Sequence, residues 1–311
     1  MEHKGLVSVI LPFLNEQEFL GEAVDSVIAQ DYREWELLLV DDGSSDDSTS
    51  LARQYADRYP DRIRYLEHEG HANKGLSASR NLGLTGCRGE FIALIDADDK
   101  WKSQKLSHQV DLMNRYPEAG MTCGPSLYWH SWTTSSSTDI IIPVGVPGDK
   151  LYFPPMLALK LYPLGKGAAP CPCSLLLRRG MPDQYGRFEE EGFRGIYQMY
   201  EDQPFLAKVY LHVPVFVSGV CQDLYRQRPA SLVAGVHRSG NYPQVRRHYL
   251  EWFGQYLLEN NIRNRAIRRA LRRAMLPMRF PLLDQILKFA YFLRKKARSI
   301  KKKGIFRTNH R

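Results

Sequence analysis

The segment Asp96-Ala97-Asp98-Asp99 places three carboxylates on one turn, directly after an apolar stretch. Carboxylates held this close repel one another, so the turn is costly unless a cation sits among them. Mg²⁺ and Mn²⁺ suit such a turn, because they take one or two protein carboxylates and complete their shell with water and phosphate oxygens. The turn therefore predicts a divalent metal site that faces a diphosphate. The alternative is a solvated acidic turn that caps a helix starting near Lys102.

A second acidic turn, Asp41-Asp42-Gly43-Ser44, follows another apolar stretch. A carboxylate here can accept hydrogen bonds from the ring N–H of uracil or guanine and from ribose hydroxyls. The alternative is again a helix cap. Both turns come at the carboxyl ends of predicted strands, and open parallel sheets bind ligands in the crevice beyond those ends. We therefore expect the two turns to line one crevice.

The segments that must position these turns alternate between strand and helix. Short apolar runs rich in β-branched residues indicate buried strands, and apolar residues spaced three or four apart indicate amphipathic helices. The predicted strands are Leu6–Leu11, Trp35–Val40, Ile63–Leu66 and Glu90–Ile95, and the predicted helices are Glu18–Ala29, Thr49–Arg58 and Ser77–Thr85. This alternation predicts an α/β fold with a mostly parallel, Rossmann-like sheet flanked by helices.

Beyond residue 125 the pattern is less regular. The Ser/Thr- and Pro-rich stretch Trp129–Pro155 predicts a loop or a mobile insertion. Further strands are expected at Ser174–Leu177 and Val213–Val217, and helices at Tyr200–Tyr210 and from His248 onward. We expect a first half at 1–125, a second half of the same domain at 126–245, and a basic helical C-terminal extension at 246–311.

The net charge of +9 is unevenly distributed along the chain. Residues 261–311 contain 17 Lys and Arg but a single acid, which gives them +16 and leaves −7 on the other residues. A mildly acidic body argues against nucleic-acid binding, and the basic tail is where attraction to phosphates or anionic lipid is expected.

Cysteine spacing and hydropathy set the expected compartment. The five cysteines show no metal-ligand spacing, and no uncharged apolar run approaches the ~20 residues of a spanning helix. We expect a cytoplasmic protein, with peripheral attachment to the inner face of the membrane through its tail.

Taken together, five sequence blocks resemble the family 2 glycosyltransferases. They occur in the family's order over about 100 residues, and each block alone is weakly specific. The blocks are Val7-Ser8-Val9-Ile10-Leu11-Pro12 with Asn15-Glu16, Val40-Asp41-Asp42-Gly43-Ser44-Ser45-Asp46, Ser79-Arg80-Asn81-Leu82-Gly83, Gly89-Glu90-Phe91-Ile92 and Asp96-Ala97-Asp98-Asp99. The resemblance implies the A-type glycosyltransferase fold, a nucleotide-diphospho-sugar donor, Mn²⁺ or Mg²⁺, and inversion at the anomeric carbon.

The resemblance also implies roles for individual residues. Asp42 corresponds to the acid that reads the base, and Asp96 to the acid nearer the ribose and sugar. Asp98 corresponds to the metal ligand that bridges to the diphosphate, with Asp99 as its backup. The remaining donor-binding positions are Pro12, Asn15 and Glu16 in the first loop, and Arg80 at the start of a helix.

An inverting transfer also needs a base that takes the proton of the acceptor hydroxyl. Glu201-Asp202 resembles the family's Glu-Asp pair at a helix N-terminus, and the base is assigned to Asp202. The alternative is that the two acids only favour the helix dipole. Further on, Arg228 stands where many members carry a His. Its guanidinium could grip the diphosphate but could not ligate a metal.

The sequence as a whole predicts an inverting transferase that moves a sugar to a hydroxyl of a glycan or lipid-linked glycan in cell-surface polysaccharide synthesis.

Residues 263–303 interleave basic and apolar positions, so they predict either helices on an anionic membrane surface or a solvated helix packed on the domain. Two alternatives are a nucleotidyltransferase and an inactive donor-fold module that acts as a docking protein. The first is disfavoured because Pro12-Phe13-Leu14-Asn15-Glu16 is not a glycine-rich phosphate loop.

Overall fold

The computed structural model describes residues 3–133 and 137–279, which fall into two compact units, Met1–Tyr249 and Leu250–Arg311. The strands are β1 His3–Phe13, β2 Trp35–Asp41, β3 Ile63–Glu67, β4 Gly89–Leu94, β5 Lys100–Trp101, β6 Met121–Cys123, β7 Ser126–Trp129, β8 Ile140–Ile142, β9 Lys150–Tyr152, β10 Leu176–Arg178, β11 Val215–Val217 and β12 Asp223–Arg226. The helices are α1 Leu20–Ile28, α2 Ser48–Arg58, α3 Leu76–Gly86, α4 Lys105–Arg115, α5 Met156–Lys160, α6 Gly180–Tyr185, α7 Asp202–His212, α8 Leu232–Arg238, α9 Tyr242–Glu259 and α10 Arg265–Arg279.

The larger sheet has the strand order β3-β2-β1-β4-β10-β6-β11-β9. Its first four strands are parallel, β10 runs antiparallel to β4 and β6, and β11 is again parallel to β6. All seven residues of β2 are buried, as expected of a strand covered by helices on both faces. This is the predicted α/β fold with a mainly parallel sheet.

Strand β1 brings the two acidic turns to one edge of the sheet. It pairs in parallel with β2 on one side and β4 on the other. The turn after β2 contains Asp42, and the turn after β4 contains Asp96 and Asp98. The expectation that both turns lie at the carboxyl ends of parallel strands in one sheet is therefore confirmed.

A smaller sheet has the strand order β5-β12-β7-β8. Its strand β5 follows the acidic turn after β4 directly in the sequence. Strand β12 pairs with β5 immediately after that turn and with β7 on its other side. The prediction of a loop or a mobile insertion at Trp129–Pro155 is wrong in part, because β8 joins this smaller sheet and β9 pairs with β11 of the larger one.

In the second unit, the described part of the basic extension contains the end of α9 and the amphipathic helix α10. Ile267 and Ala274 are buried, whereas the arginines around them are exposed. Two buried positions seven residues apart lie on one face of a helix. The basic residues 280–303 lie outside the described residues. Among residues 3–133 and 137–279, no helix is both long and apolar enough to cross a bilayer.

Candidate functional site

A cavity of about 470 Å³ opens at the sheet edge where the two acidic turns meet. Most of the residues that the sequence singled out contribute to its lining, although they come from distant parts of the chain. They are Pro12, Glu16, Asp42, Arg80, Asp96 and Asp98, joined by Glu201, Tyr225, Arg226 and Arg228. Asn15 and Asp202 were also predicted, and neither is part of this lining.

Asp98 lies against a guanidinium in the cavity wall. Nε of Arg228 is 2.9 Å from Oδ2 of Asp98, and the two terminal nitrogens of Arg228 donate to the carboxylate of Glu16 at 2.9 and 2.7 Å. Burial raises the pKa of Asp98 to about 6; Arg228 opposes this shift, and Asp96 and Glu16 add to it. Asp98 is therefore a carboxylate that a neighbouring cation stabilises.

The backbone of the acidic turn is held by Arg226 of β12. Nε of Arg226 donates to the carbonyl oxygen of Asp98 at 2.6 Å, and its backbone N–H donates to Oδ1 of Asp99 at 2.8 Å. Its guanidinium also pairs with Glu22 and lies against three aromatic rings, those of Phe19, Trp129 and Trp132. These contacts fix the turn from a strand that lies more than a hundred residues later.

Asp99 cannot serve as the expected backup for Asp98. Its side chain is fully buried, and Oδ2 has no hydrogen-bond partner among the described residues. Burial, with the nearby charges of Asp98 and Asp96, raises its pKa well above the usual range. Asp99 faces the protein interior, away from the cavity lining, because its carboxyl receives the backbone N–H of Arg226.

Arg80 joins the acidic turn to the start of α7. Its side chain is completely buried, donates to Oδ1 of Asp96 at 2.6 Å, and forms a hydrogen bond with Glu201. Burial raises the pKa of Glu201 to about 7 although Arg80 lowers it. Arg80 thus holds two carboxylates of the cavity wall that belong to different elements.

Asp202 is the first residue of α7 and follows Glu201 directly. It is partly exposed, and its carboxylate accepts a hydrogen bond from the side chain of Gln203 at 3.0 Å. Burial raises the pKa of Asp202 to about 6, and the charge of Arg80 opposes that shift. The structure thus brings the predicted base next to the cavity wall, with the lining position itself occupied by Glu201.

Asp42 organises the loop before α3. Its carboxylate accepts the backbone N–H groups of Lys74 at 2.7 Å and of Gly75 at 2.9 Å. The alternative role as cap of the next helix does not apply to it, since the cap position of α2 is Asp47. The following Gly43 has φ +82°, and a Cβ there would lie 2.8 Å from the backbone of residues 71 and 73, so only glycine fits this turn.

Asn15 ties the first loop to the second acidic turn. Its side-chain oxygen accepts the backbone N–H of Ser45 at 2.7 Å, and its own N–H donates to Oγ of Ser44 at 3.1 Å. Asn15 has φ +54°, a left-handed conformation in which Asn is enriched. Asn15 therefore connects two loops next to the cavity without lining it.

The acidic turn fits a hard divalent ion that takes most of its ligands from a substrate. The described residues contain no group of three or more His, Cys, Asp or Glu side chains that could hold a metal by themselves. Mg²⁺ and Mn²⁺ commonly use one or two carboxylates and phosphate oxygens instead. Asp98 supplies such an oxygen at the cavity wall, and Asp96 lies two residues away.

Sequence reasoning did not identify Arg226 and gave Glu201 no role of its own. The signal for Arg226 lies in Tyr225-Arg226-Gln227-Arg228, a segment in which only Arg228 is a predicted site residue. Its contacts with Asp98 and Asp99 span 128 and 127 residues of chain. Pairings at such separations leave no periodicity in the sequence.

Comparisons with known proteins agree with the family resemblance of the sequence. The family model described as glycosyl transferase family 2 matches residues 8–183. EpsE of Bacillus subtilis (strain 168), named as a glycosyltransferase, is 32% identical over 63% of this chain and 73% of its own. The Escherichia coli UDP-Glc:alpha-D-GlcNAc-diphosphoundecaprenol beta-1,3-glucosyltransferase WfgD is 38% identical over 35% of this chain. The chain spans 41% of WfgD, and 42% of TuaG of Bacillus subtilis.

Two solved structures share the fold at low sequence identity. The mannosyltransferase PcManGT from Pyrobaculum calidifontis, in complex with GDP-Man and Mn²⁺, superposes with a TM-score of 0.60 at 18% identity and covers 92% of this chain and 74% of its own. S. aureus TarS 1-349 in complex with UDP-GlcNAc has a TM-score of 0.54 at 20% identity and covers 74% of this chain and 60% of its own.

Proposed function

The chain belongs to the glycosyl transferase family 2, and from that premise we propose that it moves a sugar from a nucleotide-diphospho-sugar to a hydroxyl of a glycan or lipid-linked glycan, with inversion at the anomeric carbon. The observation that carries the proposal is the cavity into which Asp42, Asp96 and Asp98 bring acidic groups from the ends of two parallel strands. Residues 1–125 would bind the donor, and 126–245 would supply the acceptor site and the base.

The donor is supported by the proteins that share this fold or sequence. PcManGT was solved with GDP-Man and Mn²⁺, TarS with UDP-GlcNAc, and WfgD is named for UDP-Glc. In this chain Asp42 and the loop after β1 would contact the nucleoside. Asp98, with Asp96 beside it, would hold Mn²⁺ or Mg²⁺ at the diphosphate. The ion, when bound, supplies positive charge to the departing nucleoside diphosphate.

The acceptor proton would go to Asp202. The carboxylate of Asp202 receives a hydrogen bond from the neutral side chain of Gln203, whereas that of Glu201 is engaged by buried Arg80. The guanidinium of Arg80 occupies Oε1 of Glu201, so that oxygen is not available to an acceptor hydroxyl. Glu201 would therefore position Arg80 and Asp96, and Asp202 would act as the base.

The acceptor is proposed to be a hydroxyl of a cell-surface glycan, with lipid-linked glycans included. WfgD is named for an acceptor on diphosphoundecaprenol. We also propose that the tail meets an anionic membrane surface through exposed arginines. Ile267 and Ala274 are covered in this structure, so this contact would be electrostatic and made by the arginine face of α10.

A melting-temperature screen of nucleotide sugars, with and without Mn²⁺, tests the donor proposal. A ligand that binds only the folded state raises the midpoint in proportion to its affinity, so one sugar nucleotide with Mn²⁺ is expected to give the largest rise. Transfer and donor hydrolysis would then be measured with that compound. A rise with UDP and Mn²⁺, without transfer or hydrolysis of any sugar nucleotide, would indicate an inactive donor-binding module instead.

Asp98→Ala tests the metal assignment, with transfer measured by the same assay. The variant is expected to lose at least about 100-fold in transfer, the scale seen when one electrostatic contact to the transition state is removed. The matched control is Asp57→Ala, which removes an exposed carboxylate of α2 far from the cavity lining. Normal turnover by Asp98→Ala, with the fold intact by circular dichroism, would end the assignment.

A further inference from the structure

Arg228 places a resident cation at the carboxylate that the metal would use. All three nitrogens of its guanidinium contact carboxylates: Nε meets Asp98, and the terminal pair meets Glu16. The three side chains are largely buried, with 28% of Arg228, 22% of Asp98 and 17% of Glu16 exposed. Charge pairs in such an environment are screened less by water and salt than pairs at an open surface.

The two contacts of Arg228 differ in kind. Its fork to Glu16 consists of two aligned hydrogen bonds, an arrangement that fixes a guanidinium in place. The approach to Asp98 is short, yet Nε forms no aligned hydrogen bond there. Arg228 is thus anchored on Glu16 and attracts Asp98 by charge, so Asp98 can exchange this partner while the guanidinium stays in position.

A metal ion at Asp98 would lie close to this guanidinium. Arginine stays protonated and cannot become a ligand, so the two cations repel each other across the same carboxylate. The neighbouring Asp96 does not offset this repulsion, because it is already paired with Arg80. A diphosphate brings negative charge that attracts both cations, and both Arg228 and Asp98 line the cavity that it would occupy.

We propose that Arg228 is a counter-ion that keeps the divalent metal weakly bound until a nucleoside diphosphate arrives, and that it then pairs with the diphosphate. The inference rests on the proposed function of Asp98. It assigns Arg228 a positioning role: it neutralises Asp98 in the empty cavity and faces the phosphates in the filled one. Metal and donor then bind as a unit.

Two affinities measured on the full chain test this role, because they move in opposite directions. In Arg228→Gln, the affinity for Mn²⁺ alone, followed by the EPR signal of the free ion, is expected to rise at least about fivefold, the lower end of typical coupling between ligands. The affinity for UDP or GDP in EDTA, followed by calorimetry, is expected to fall by a similar factor. A purely structural defect would weaken both.

Lys74→Gln is the matched control. Lys74 lines a neighbouring cavity beside Arg194, so the variant removes one nearby positive charge without touching the acidic turn. It is expected to change the Mn²⁺ affinity less than about twofold, since exposed charges are screened over a Debye length of about 10 Å. Melting curves without ligand show whether each variant is folded. An equal rise of Mn²⁺ affinity in both variants would overturn the proposal, as would an unchanged affinity or a joint fall in Arg228→Gln.

Asp98→Ala separates this inference from the function beneath it. If the variant binds Mn²⁺ as the natural chain does, the metal assignment of Asp98 fails. If it loses Mn²⁺ while Arg228→Gln keeps both natural affinities, the metal assignment stands and the counter-ion role of Arg228 fails.

Discussion

Asp98 and Asp202 are both carboxyl groups whose pKa burial raises to about 6. Their surroundings differ, because Asp98 faces the guanidinium of Arg228 and Asp202 accepts a hydrogen bond from the neutral amide of Gln203. A metal ion at Asp98 would hold that group ionised across the ordinary pH range. With the metal in excess, a titration near pH 6 is therefore expected to come from the base.

This difference predicts the pH dependence of transfer. The base must be deprotonated, so kcat/KM at saturating Mn²⁺ is expected to be constant above pH 7 and to fall as pH drops through about 6, with a slope of one. Asp202→Asn should remove this limb and lower kcat at least about 100-fold. Glu201→Gln is the matched control and should keep the limb. A limb that disappears in Glu201→Gln and remains in Asp202→Asn would reverse the two roles.

Sequence reasoning worked at this scale where a residue's role depends on its neighbours in the chain. Asp42, Asp96 and Asp98 each stand just after an apolar strand, and the structure brings all three to one cavity. The orientation of Asp99 could not be read in the same way. It depends on the backbone N–H of Arg226, which reaches it from a different strand.

Among the elements, α3 carries Arg80 and packs closely against β1 of the larger sheet. The helix crosses β1 at Gly83, where an added Cβ would lie 2.4 Å from Cγ2 of Ile10. Ile10 is fully buried, so it cannot move aside without disturbing the core. Glycine at this position lets the helix and the strand approach each other.

Gly83→Ala is therefore expected to destabilise the fold, although alanine favours helices. Overpacking of a well-packed core costs about 1–3 kcal/mol, which exceeds the gain of about 1 kcal/mol from helix propensity. Urea unfolding would measure the change. Gly180→Ala in α6 is the control, because no atom lies within 4 Å of its added Cβ. Equal stability of the two variants would contradict the close packing of α3 on β1.

Prediction of elements succeeded for long, apolar segments and failed for short ones. β1, β2 and β4 are continuous apolar runs, and their positions were found to within a few residues. β8 and β9 have three residues each and lie in a Ser/Thr- and Pro-rich stretch. Their pairing with β7 and β11 comes from contacts across the fold, so the local sequence contains no period from which to predict them.

At the scale of the whole molecule, charge is divided between a mildly acidic body and a basic tail. In the second unit, α10 exposes arginines while its apolar residues Ile267 and Ala274 are buried. Helix α10 thus has one buried face and one exposed face over the residues that the structure describes. An electrostatic contact with anionic lipid remains open to the exposed face, and each basic residue near such a surface contributes about 1 kcal/mol.

Vesicle sedimentation tests that contact with the full chain. Binding to vesicles rich in phosphatidylglycerol is expected at low salt and should disappear in 1 M NaCl, where the Debye length is about 3 Å. Replacing four exposed arginines of α10 with Gln should weaken binding at least about tenfold; they are Arg268, Arg269, Arg272 and Arg273. The control carries the same number of changes in the first unit, at Arg33, Arg53, Arg58 and Arg88. Equal weakening in both sets would contradict a specific role for the tail.

The fold class followed from the sequence because alternating strands and helices allow few arrangements. The smaller sheet did not, since β5 and β12 are two and four residues long and meet only in three dimensions. Strand β12 completes the site from the second half of the domain.

Arg226 and Arg228 are two positions apart on one extended segment, and both reach the same acidic turn. Inserting or deleting one residue between them would turn one side chain to the opposite side of the segment, since side chains alternate along an extended backbone. Natural variation here should therefore preserve the two-residue spacing of these side chains, so insertions and deletions between them should be rare.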